Sequence, residues 1–402
     1  MSNLNPLWKN APLHSLTNIK ISNGVFKNPQ KTGTGIKLIN VVDLYNDTIN
    51  FDALERLDVS EEDLQKNEAI EGDLLFTRSS LKAEGIAHCN LVRKYPEQVI
   101  FECHIMRFRP NKNIINSYFL FSYCSLPFAR KEFVTRSKTT TMTTIDQNGL
   151  GSVRISFPPL PEQEKIAEIL GTWDTAIEKL SALIEQKKQL KKGLMQRLLT
   201  GKQRLPGFSD PWKKVKLGEI LEAISKRNKD LKITRVLSVT NSRGFVLPEE
   251  QFSRTIASED LSNYKIVKKG EFAYNPSRLN VGSIDRLDTF ENGLLSPMYV
   301  VFKCKNILMS NYMRQWISTD EFNIKIKNSA QGSVRETVDF KTLSSVKTFI
   351  PLDLSEQKAI ADILSKADEE ITLLTRKLSA LKSQKKGLMQ KLLTGQIRVK
   401  AA

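Results

Sequence analysis

The sequence predicts an α+β chain in which two mixed α/β domains are separated by two long antiparallel helices. We expect these helices to form a coiled coil and to relate the two halves by pseudo-twofold symmetry. One observation is that KKGLMQRLLTG at 191–201 returns as KKGLMQKLLTG at 385–395. A second is that each copy ends a helical pattern several turns long. A third is that a segment of about 150 residues, the size of one domain, precedes each pattern. The predicted segments are 1–157, 158–205, 206–354 and 355–402.

The repeat extends well beyond these eleven residues. At an offset of 194, residues 162–201 align with 356–395 without a gap, and 20 of the 40 positions are identical. Apolar residues alternate at spacings of three and four, as in a coiled-coil seam. Packing of each helix on its own domain is the alternative. Gly193 and Gly387, at matching interior positions, predict close helix–helix contact. The predicted seam residues are Ile166, Leu170, Trp173, Ile177, Leu180, Leu194, Leu198, Ile360, Leu364, Ile371, Leu374, Leu378, Leu388 and Leu392.

The two intervening segments carry mixed α/β signals and share an order of landmarks. IEGDLLF in the first half corresponds to VKKGEFAY in the second, and TIDQNGLGSVRISFPPL corresponds to TVDFKTLSSVKTFIPL. The residues between these landmarks differ, which predicts two related domains with different surfaces. Apolar or alternating runs indicate strands, and longer helical patterns indicate helices. The predicted elements are strands at 99–108 and 297–303 and helices at 114–131 and 309–322.

Composition narrows the class of protein. A formal charge of +17 suggests a polyanionic partner, with nucleic acid ahead of membrane, and a basic protein without such a partner is the alternative. The four cysteines form no CxxC pair, which is typical of a reducing compartment. No apolar run reaches transmembrane length, and the first residues lack a signal pattern. We therefore expect a cytoplasmic protein that does not bind membranes.

As a whole, the pattern resembles the specificity subunit of Type I restriction-modification systems. The resemblance is carried by PLPEQEKIAEIL and LSEQKAIADIL at the helix starts, the two KKGLMQ stretches, and PGFSDPWKKVKLGEI at 206–220. It implies that 1–157 and 206–354 are target-recognition domains, each reading one half of a bipartite, asymmetric site in double-stranded DNA. It implies that the helices set the spacer and bind two methyltransferase subunits, which carry S-adenosylmethionine. Motor-nuclease subunits that use ATP and Mg²⁺ would join them.

The sequence contains no familiar catalytic motif. Asn275-Pro276-Ser277-Arg278 lacks the second proline and the aromatic residue of an adenine methyltransferase loop, and no glycine pattern fits a nucleotide phosphate loop. His88-Cys89 and Cys103-His104 could suggest zinc, but adjacent strand residues point to opposite faces. We therefore predict a non-catalytic DNA-recognition subunit with no catalytic, cofactor or metal residue. A coiled-coil scaffold whose end domains bind proteins is the alternative.

Two pairs of polar loops are candidates for DNA contact. Arg, Lys, Asn, Gln, Ser and Thr read base edges and hold phosphates. One loop pair follows the GDLLF-type strands, which makes Arg78 and Arg278 equivalent, and the other precedes the closing segments. Solvated surface loops are the alternative for both pairs. The predicted DNA-binding residues are Arg78, Ser79, Lys82, Lys138, Thr139, Thr140, Arg243, Arg278, Asn280, Lys327, Gln331 and Arg335.

Overall fold

The chain packs as two compact units in the computed structural model. Unit 1 consists of Met1–Leu180 with Lys377–Ala402, and unit 2 consists of Ser181–Arg376. These units group the chain by packing, so the four functional segments expected from the sequence stay a prediction. The structure describes residues 7–248, 260–330 and 337–400.

Within its described residues, unit 1 contains thirteen strands, five α-helices, of which the fifth continues into unit 2, and the end of the last long helix of the chain. The strands are β1 (Lys9–Pro12), β2 (Ser22–Asn23), β3 (Thr32–Ile39), β4 (Glu55–Leu57), β5 (Glu68–Ala69), β6 (Leu74–Thr77), β7 (Ser79–Ser80), β8 (Cys89–Leu91), β9 (Val99–Phe101), β10 (Ile105–Phe108), β11 (Lys138–Thr139), β12 (Thr143–Thr144) and β13 (Arg154–Phe157). The helices are α1 (Glu61–Asn67), α2 (Ser117–Cys124), α3 (Pro127–Thr135), α4 (Gln147–Gly151) and α5 (Leu160–Leu198).

The central sheet of unit 1 has the order β2-β10-β6-β8. Strands β6 and β10 read LLFT and IMRF and are buried along their whole length, with Phe76 opposite Met106. A second sheet has the order β4-β3-β9-β5, a smaller one has the order β11-β12-β7, and β1 pairs with β13. The largest core of the unit lies between the central sheet, helices α2 and α3, and the start of α5. Burial of continuous apolar runs on both sides of the sheet explains why they form strands.

Two predicted elements of unit 1 are each divided in the structure. The strand expected at 99–108 is wrong as one element: it is β9 and β10, because the chain turns where the Ile105 N–H donates to the Glu102 carbonyl at 3.0 Å. The helix expected at 114–131 is wrong in the same way, since α2 ends at Cys124 and α3 begins at Pro127. Proline fits the first turn of a helix but cannot continue a preceding one, so it separates the two.

Unit 2 repeats this plan with ten strands and five further helices in its described residues. The strands are β14 (Lys213–Lys216), β15 (Leu221–Ile224), β16 (Ser238–Thr240), β17 (Gly244–Val246), β18 (Lys265–Lys268), β19 (Phe272–Tyr274), β20 (Ile284–Arg286), β21 (Asn292–Leu295), β22 (Val300–Cys304) and β23 (Lys347–Ile350). The helices are α6 (Leu217–Ile220), α7 (Ser310–Trp316), α8 (Asp320–Ala330), α9 (Phe340–Ser345) and α10 (Leu354–Leu393), the last of which continues into unit 1.

The central sheet of unit 2 has the order β15-β22-β19-β20, which is the counterpart of β2-β10-β6-β8. The pair β14-β23 likewise corresponds to β1-β13. The strand expected at 297–303 is present as β22. The helix expected at 309–322 is wrong as one element, because the Thr319 hydroxyl accepts the Phe322 N–H at 3.1 Å and starts a new helix, α8.

A buried glutamine fixes the start of each long helix. In unit 1, Gln163 accepts the Asn116 N–H at 2.9 Å and donates to the carbonyls of Ile114 and Pro158 at 3.1 and 2.8 Å. In unit 2, Gln357 accepts the Met309 N–H at 2.7 Å and donates to two carbonyls in the same way. These carbonyls belong to Ile307 and Pro351, at 2.9 and 2.8 Å. A side-chain amide can satisfy three backbone groups at once, so each glutamine joins its helix to the domain before it.

A buried glutamate next to each glutamine holds an arginine that lies just beyond the end of the other long helix. Arg398 donates to both oxygens of Glu162 at 2.6 Å in unit 1. Arg204 does the same to Glu356 at 2.6 and 2.8 Å in unit 2. Bidentate pairs of this kind fix orientation as well as charge. The chain reaches these arginines through Gly201 and Gly395 in the left-handed region, at φ +70° and +71°.

Ion pairs show that the long helices run antiparallel within each unit. In unit 1, Asp174 of α5 pairs with Lys385 of α10 and also accepts the Tyr118 hydroxyl. In unit 2, Lys191 of α5 lies 2.6 Å from Asp368 of α10. Within unit 1, Glu162 pairs with Arg398 and Asp174 with Lys385, and within unit 2, Lys187 pairs with Glu370 and Lys191 with Asp368. In each unit, later positions of α5 therefore meet earlier positions of the α10 segment. Lys191 and Lys385, which match each other at the repeat offset of 194, are each paired with an aspartate of the opposite helix.

The predicted seam is buried at its ends and half-buried along its middle. The end residues join the domain cores, so packing on the domain and packing along the helix pair both occur. The expectation of close contact at Gly193 and Gly387 is wrong, because a Cβ at either position would meet no atom within 4 Å. The buried seam residues are Ile166, Leu170, Leu198, Ile360, Leu364 and Leu392. The half-buried ones are Trp173, Ile177, Leu180, Leu194, Ile371, Leu374, Leu378 and Leu388.

The predicted fold class is confirmed: the chain is α+β, with two repeated mixed units and long paired helices. Among the described residues, no helix is both long and apolar enough to cross a membrane.

Candidate nucleic-acid interface

Unit 1 brings its two predicted DNA-contact loops together in one small sheet. Strand β12 lies between β7 and β11 and pairs with both. Thr144 is opposite Ser79 on one side and Lys138 on the other, while Thr143 is opposite Thr139. Residues separated by about sixty positions in sequence therefore share one surface. We call residues 138–144, which form β11, β12 and the turn between them, the ribbon.

The ribbon is exposed except at Thr143, which is buried, and its base is held by backbone hydrogen bonds. Lys138, Thr139 and the turn residue Thr140 are exposed. The Ile145 N–H donates to the Arg78 carbonyl at 3.0 Å, and the Arg78 N–H donates to the His104 carbonyl at 2.8 Å. The side chain of Arg78 is exposed beside this base. The arrangement presents basic and hydroxyl side chains to solvent on a fixed backbone.

Lys82 lies in the next loop, which Arg130 holds against helix α3. The Arg130 guanidinium donates to the carbonyls of Ile86 and Ala87 and to that of Glu84 at 3.1 Å. Burial lowers the pKa of Arg130 from its ordinary value, and nearby thiols oppose this shift. No local pattern in the sequence indicates this role, because the three carbonyls are backbone groups more than forty residues away. Lys82 itself is exposed.

In unit 2, three of the described candidate residues line a cleft, and the fourth, Arg278, lies outside its lining. Arg278 is exposed in a short 3-10 turn, Pro276–Val281, which follows β19 as Arg78 follows β6. The Asn275 side chain accepts the Ser277 N–H at 3.1 Å, and the Pro276 carbonyl accepts the Val338 N–H at 3.0 Å. The expected equivalence of the two arginines thus holds in sheet position, although the chain after each one differs.

Arg243, Asn280 and Lys327 line one cleft of about 1630 Å³, and Arg278 is not among the residues that line it. The cleft is bounded by the turn between β16 and β17, the 3-10 turn, helices α7 and α8, and parts of the long helices. Its lining carries four basic and three acidic side chains. These are Lys191, Arg243, Arg314, Lys327, Asp285, Asp320 and Asp368.

Acidic groups in the cleft are partly neutralised by neighbours or by burial. Lys191 pairs with Asp368, and Arg314 lies 3.9 Å from Asp285. Burial raises the pKa of Asp285 from its ordinary value, and Arg314 opposes the shift. A Cβ on Gly244 would lie 1.8 Å from the Asp285 carboxylate, so glycine is needed for this close approach. The cleft is therefore a polar, net basic surface suited to an anionic ligand.

Two of the predicted residues, Gln331 and Arg335, lie outside the described residues. The structure instead adds residues that sequence reasoning missed. Arg204 and Arg398 bind the buried glutamates, and they sit at the same offset of 194 as the rest of the repeat. Extending the self-comparison by three positions would have found them. Within the described residues, no group of three or more His, Cys, Asp or Glu side chains is arranged to hold a metal ion.

These features define a class of protein with two related modules, each carrying a polar, basic surface beside a matched central sheet. Residues 5–189 and 209–383 each match the family model for the Type I restriction modification DNA specificity domain. The two matches cover most of the chain, so the protein belongs to this family, and the resemblance found in the sequence is confirmed.

Individual relatives agree with this assignment. A chain from Methanocaldococcus jannaschii assigned as the MjaX type I restriction enzyme specificity subunit is 26% identical, over 98% of this chain and 94% of its own length. The crystal structure of the Type I restriction-modification system S subunit from M. genitalium has a similar fold, with a TM-score of 0.63 at 15% identity. The match covers 98% of this chain and 97% of that one.

A second solved chain belongs to a study of complex assembly and conformational transition of the type I R-M system. Its fold is similar, with a TM-score of 0.52 at 17% identity, over 98% of this chain and 99% of the other.

Proposed function

We propose that this protein is the non-catalytic DNA-reading subunit of a Type I restriction-modification complex, and that each unit reads one half of a bipartite, asymmetric site in double-stranded DNA. The main support is that the two units share one frame, meaning the central sheet and the buried glutamine at the start of the long helix, but differ in the surfaces that carry the candidate residues. The Gln163 and Gln357 contacts are the same in both units, while the candidate residues lie on a ribbon in unit 1 and around a cleft in unit 2. Two readers of different sequences require this combination.

We further propose that the long helices set the spacer between the half-sites and bind two methyltransferase subunits. The helices contain the most similar stretches of the two halves, as a surface for two identical partners requires. S-adenosylmethionine would then be carried by the methyltransferase subunits. ATP and Mg²⁺ would be used by motor-nuclease subunits. The study of complex assembly in which a similar fold occurs supports this part of the proposal.

Mapping of adenine methylation in cells that have or lack this chain tests the proposal. We expect one bipartite, asymmetric motif to be methylated only when the chain is present. An unchanged methylation pattern, together with no salt-dependent DNA binding by the purified chain, would favour the scaffold alternative. Methylation or cleavage by the purified chain alone would contradict its non-catalytic role.

Arg278→Ala tests base reading by unit 2. Loss of a specific base contact is worth about 1–3 kcal/mol of discrimination, so recognition should relax at one position in one half-site. Equal loss at every base of both half-sites would count against base reading. Lys366→Ala, at an exposed position of α10, is the matched control for loss of one positive charge.

Insertion of four residues, about one helical turn, in the middle of α5 tests the spacer role. We expect the mapped motif to keep both half-sites and to gain spacer length. An unchanged spacer in a variant that still supports methylation would refute this role.

A further inference from the structure

We propose that the ribbon enters the DNA major groove and reads thymine-containing base pairs through threonine methyl and hydroxyl groups. This inference rests on the proposed function and names the element and the groove that unit 1 uses. It is carried by the size of the ribbon, the way its base is held, and the chemistry of its side chains.

The size of the ribbon fits one groove of B-DNA. Its two strands pair antiparallel, and the turn is closed where the Thr140 N–H donates to the Met142 carbonyl at 3.0 Å. Each side of the ribbon has three to four residues and extends about 10–12 Å at roughly 3.3 Å per residue. A two-stranded ribbon fits the major groove, about 12 Å wide and 8.5 Å deep, whereas the minor groove is only about 6 Å wide.

The base of the ribbon is held before DNA arrives. Strand β12 pairs with β7, the Arg78 carbonyl accepts the Ile145 N–H at 3.0 Å, and the hydroxyls of Thr139 and Thr143 are 3.1 Å apart. Preorganisation reduces the entropy lost on binding. Thr140, Thr141 and Met142 are exposed at the tip of this fixed base.

The side chains of the ribbon match the floor of the major groove. The sequence KTTTMTT contains five threonines, four of them exposed and one, Thr143, buried, together with one lysine and no acidic residue to repel phosphates. A threonine hydroxyl can donate to or accept from a base edge, and its methyl can contact the C5-methyl group that only thymine presents. Met142 adds a flexible apolar surface at the tip, and exposed Lys138 suits a phosphate.

The test uses two double variants that remove opposite halves of the threonine side chain. Thr140→Val/Thr141→Val keeps both methyl groups and removes the hydroxyls, while Thr140→Ser/Thr141→Ser keeps the hydroxyls and removes the methyls. Full-length chain, purified with the subunits that accompany it, is titrated with duplexes of the mapped site. In matched duplexes, uracil replaces thymine in one half-site at a time, which deletes the C5-methyl group.

For the wild type, we expect uracil in the unit 1 half-site to weaken binding about 4-fold for each contacted methyl, from about 0.8 kcal/mol per buried carbon group. The serine variant should bind thymine and uracil duplexes equally. The valine variant should stay sensitive to uracil. At positions where a threonine hydroxyl bonds to a base edge in the wild type, it should lose up to about 10-fold in discrimination between the correct and the wrong base pair. The unit 2 half-site is the internal control, since all three proteins should respond there alike.

Several results would overturn the proposal. One is that both variants discriminate between thymine and uracil duplexes at every position as the wild type does, while their thermal unfolding is unchanged. Another is that the variants lose the same affinity whichever base pair is changed, which would mean that the tip contacts phosphates and not bases. A third is that wild-type binding does not respond to uracil but is weakened when inosine replaces guanine. Inosine lacks the amino group that guanine presents in the minor groove, so this result would indicate minor-groove reading. If the wild type selects no site at all, the proposed function itself fails, and that result is distinct from the other three.

Discussion

Units 1 and 2 share a frame and differ in the surface that the frame presents. Both have a central sheet of the same order, a buried Gln-Glu pair at the start of a long helix, and a Lys-Asp pair between the helices. Unit 1 adds a ribbon of short strands, whereas unit 2 adds a mixed-charge cleft. The difference teaches that side chains which fix orientation are repeated in this chain, while those that face solvent beside the sheet are not.

The largest expected effect comes from the buried glutamines that the units share. Gln163→Leu or Gln357→Leu leaves one N–H and two carbonyls without their partner. Each change should lower the free energy of unfolding by about 3 kcal/mol, because buried unpaired groups cost roughly 1–3 kcal/mol each and leucine packing offsets part of the loss. Urea denaturation measures the change, and Gln186→Leu at an exposed position of α5 is the control. Clearly unequal losses would break the equivalence of the two frames.

The buried glutamates should show a smaller, unequal effect. Arg204 is 26% exposed, and Trp212 also donates to Glu356 at 3.3 Å, while Arg398 is 43% exposed. Charged hydrogen bonds contribute roughly 1.5–3 kcal/mol when shielded and less when exposed. We expect Glu356→Gln to cost about 2 kcal/mol and Glu162→Gln about 1 kcal/mol in the free energy of unfolding. A double-mutant cycle with the partner arginine measures each coupling, and a larger coupling in unit 1 would contradict this ranking.

Replacing Lys327 tests whether the cleft of unit 2 contacts phosphates, in contrast to the base contacts proposed for the ribbon of unit 1. If the cleft holds phosphates, Lys327→Gln should lower DNA affinity evenly across sequences and reduce the slope of log affinity against log salt by about 0.9. Lys366→Gln, at an exposed position of α10, is the matched control. A sequence-dependent loss with an unchanged slope would show instead that Lys327 reads bases.

The smallest expected effect is the pH dependence contributed by His88 in unit 1, the unit that contains all three histidines of the chain. Burial lowers the pKa of His88, and the charge of Arg130 lowers it further. The unfolded chain, with a histidine pKa near about 6.5, therefore takes up a proton first as pH falls. Stability contributed by neutral His88 is complete above that pH and is lost as pH falls through the folded-state pKa. Thermal unfolding of the wild type and His88→Gln between pH 7.5 and 5.5 measures this, and an equal slope in both would refute it.

Elements with a local signal were predicted well, and elements that depend on remote partners were not. The two long helices followed from a repeat and a heptad pattern within forty residues. The strand at 99–108 and the helix at 114–131 were each expected as one element, because a turn at Glu102 and a proline start at Pro127 are weak signals inside apolar runs. Arg204 and Arg398, which bind the buried glutamates, lay just past the point where the alignment stopped.

The sequence by itself determined the family, the twofold repeat and the long helices, because self-similarity and apolar periodicity can be read without knowing any distance. Only the tertiary structure decided that Ser79 and Thr144 lie on adjacent strands, and that Arg243, Asn280 and Lys327 line one cleft while Arg278 does not. Strand register and loop placement depend on hydrogen bonds between segments far apart in the chain. Their partners are chosen by the packing of the whole unit, which no local pattern encodes.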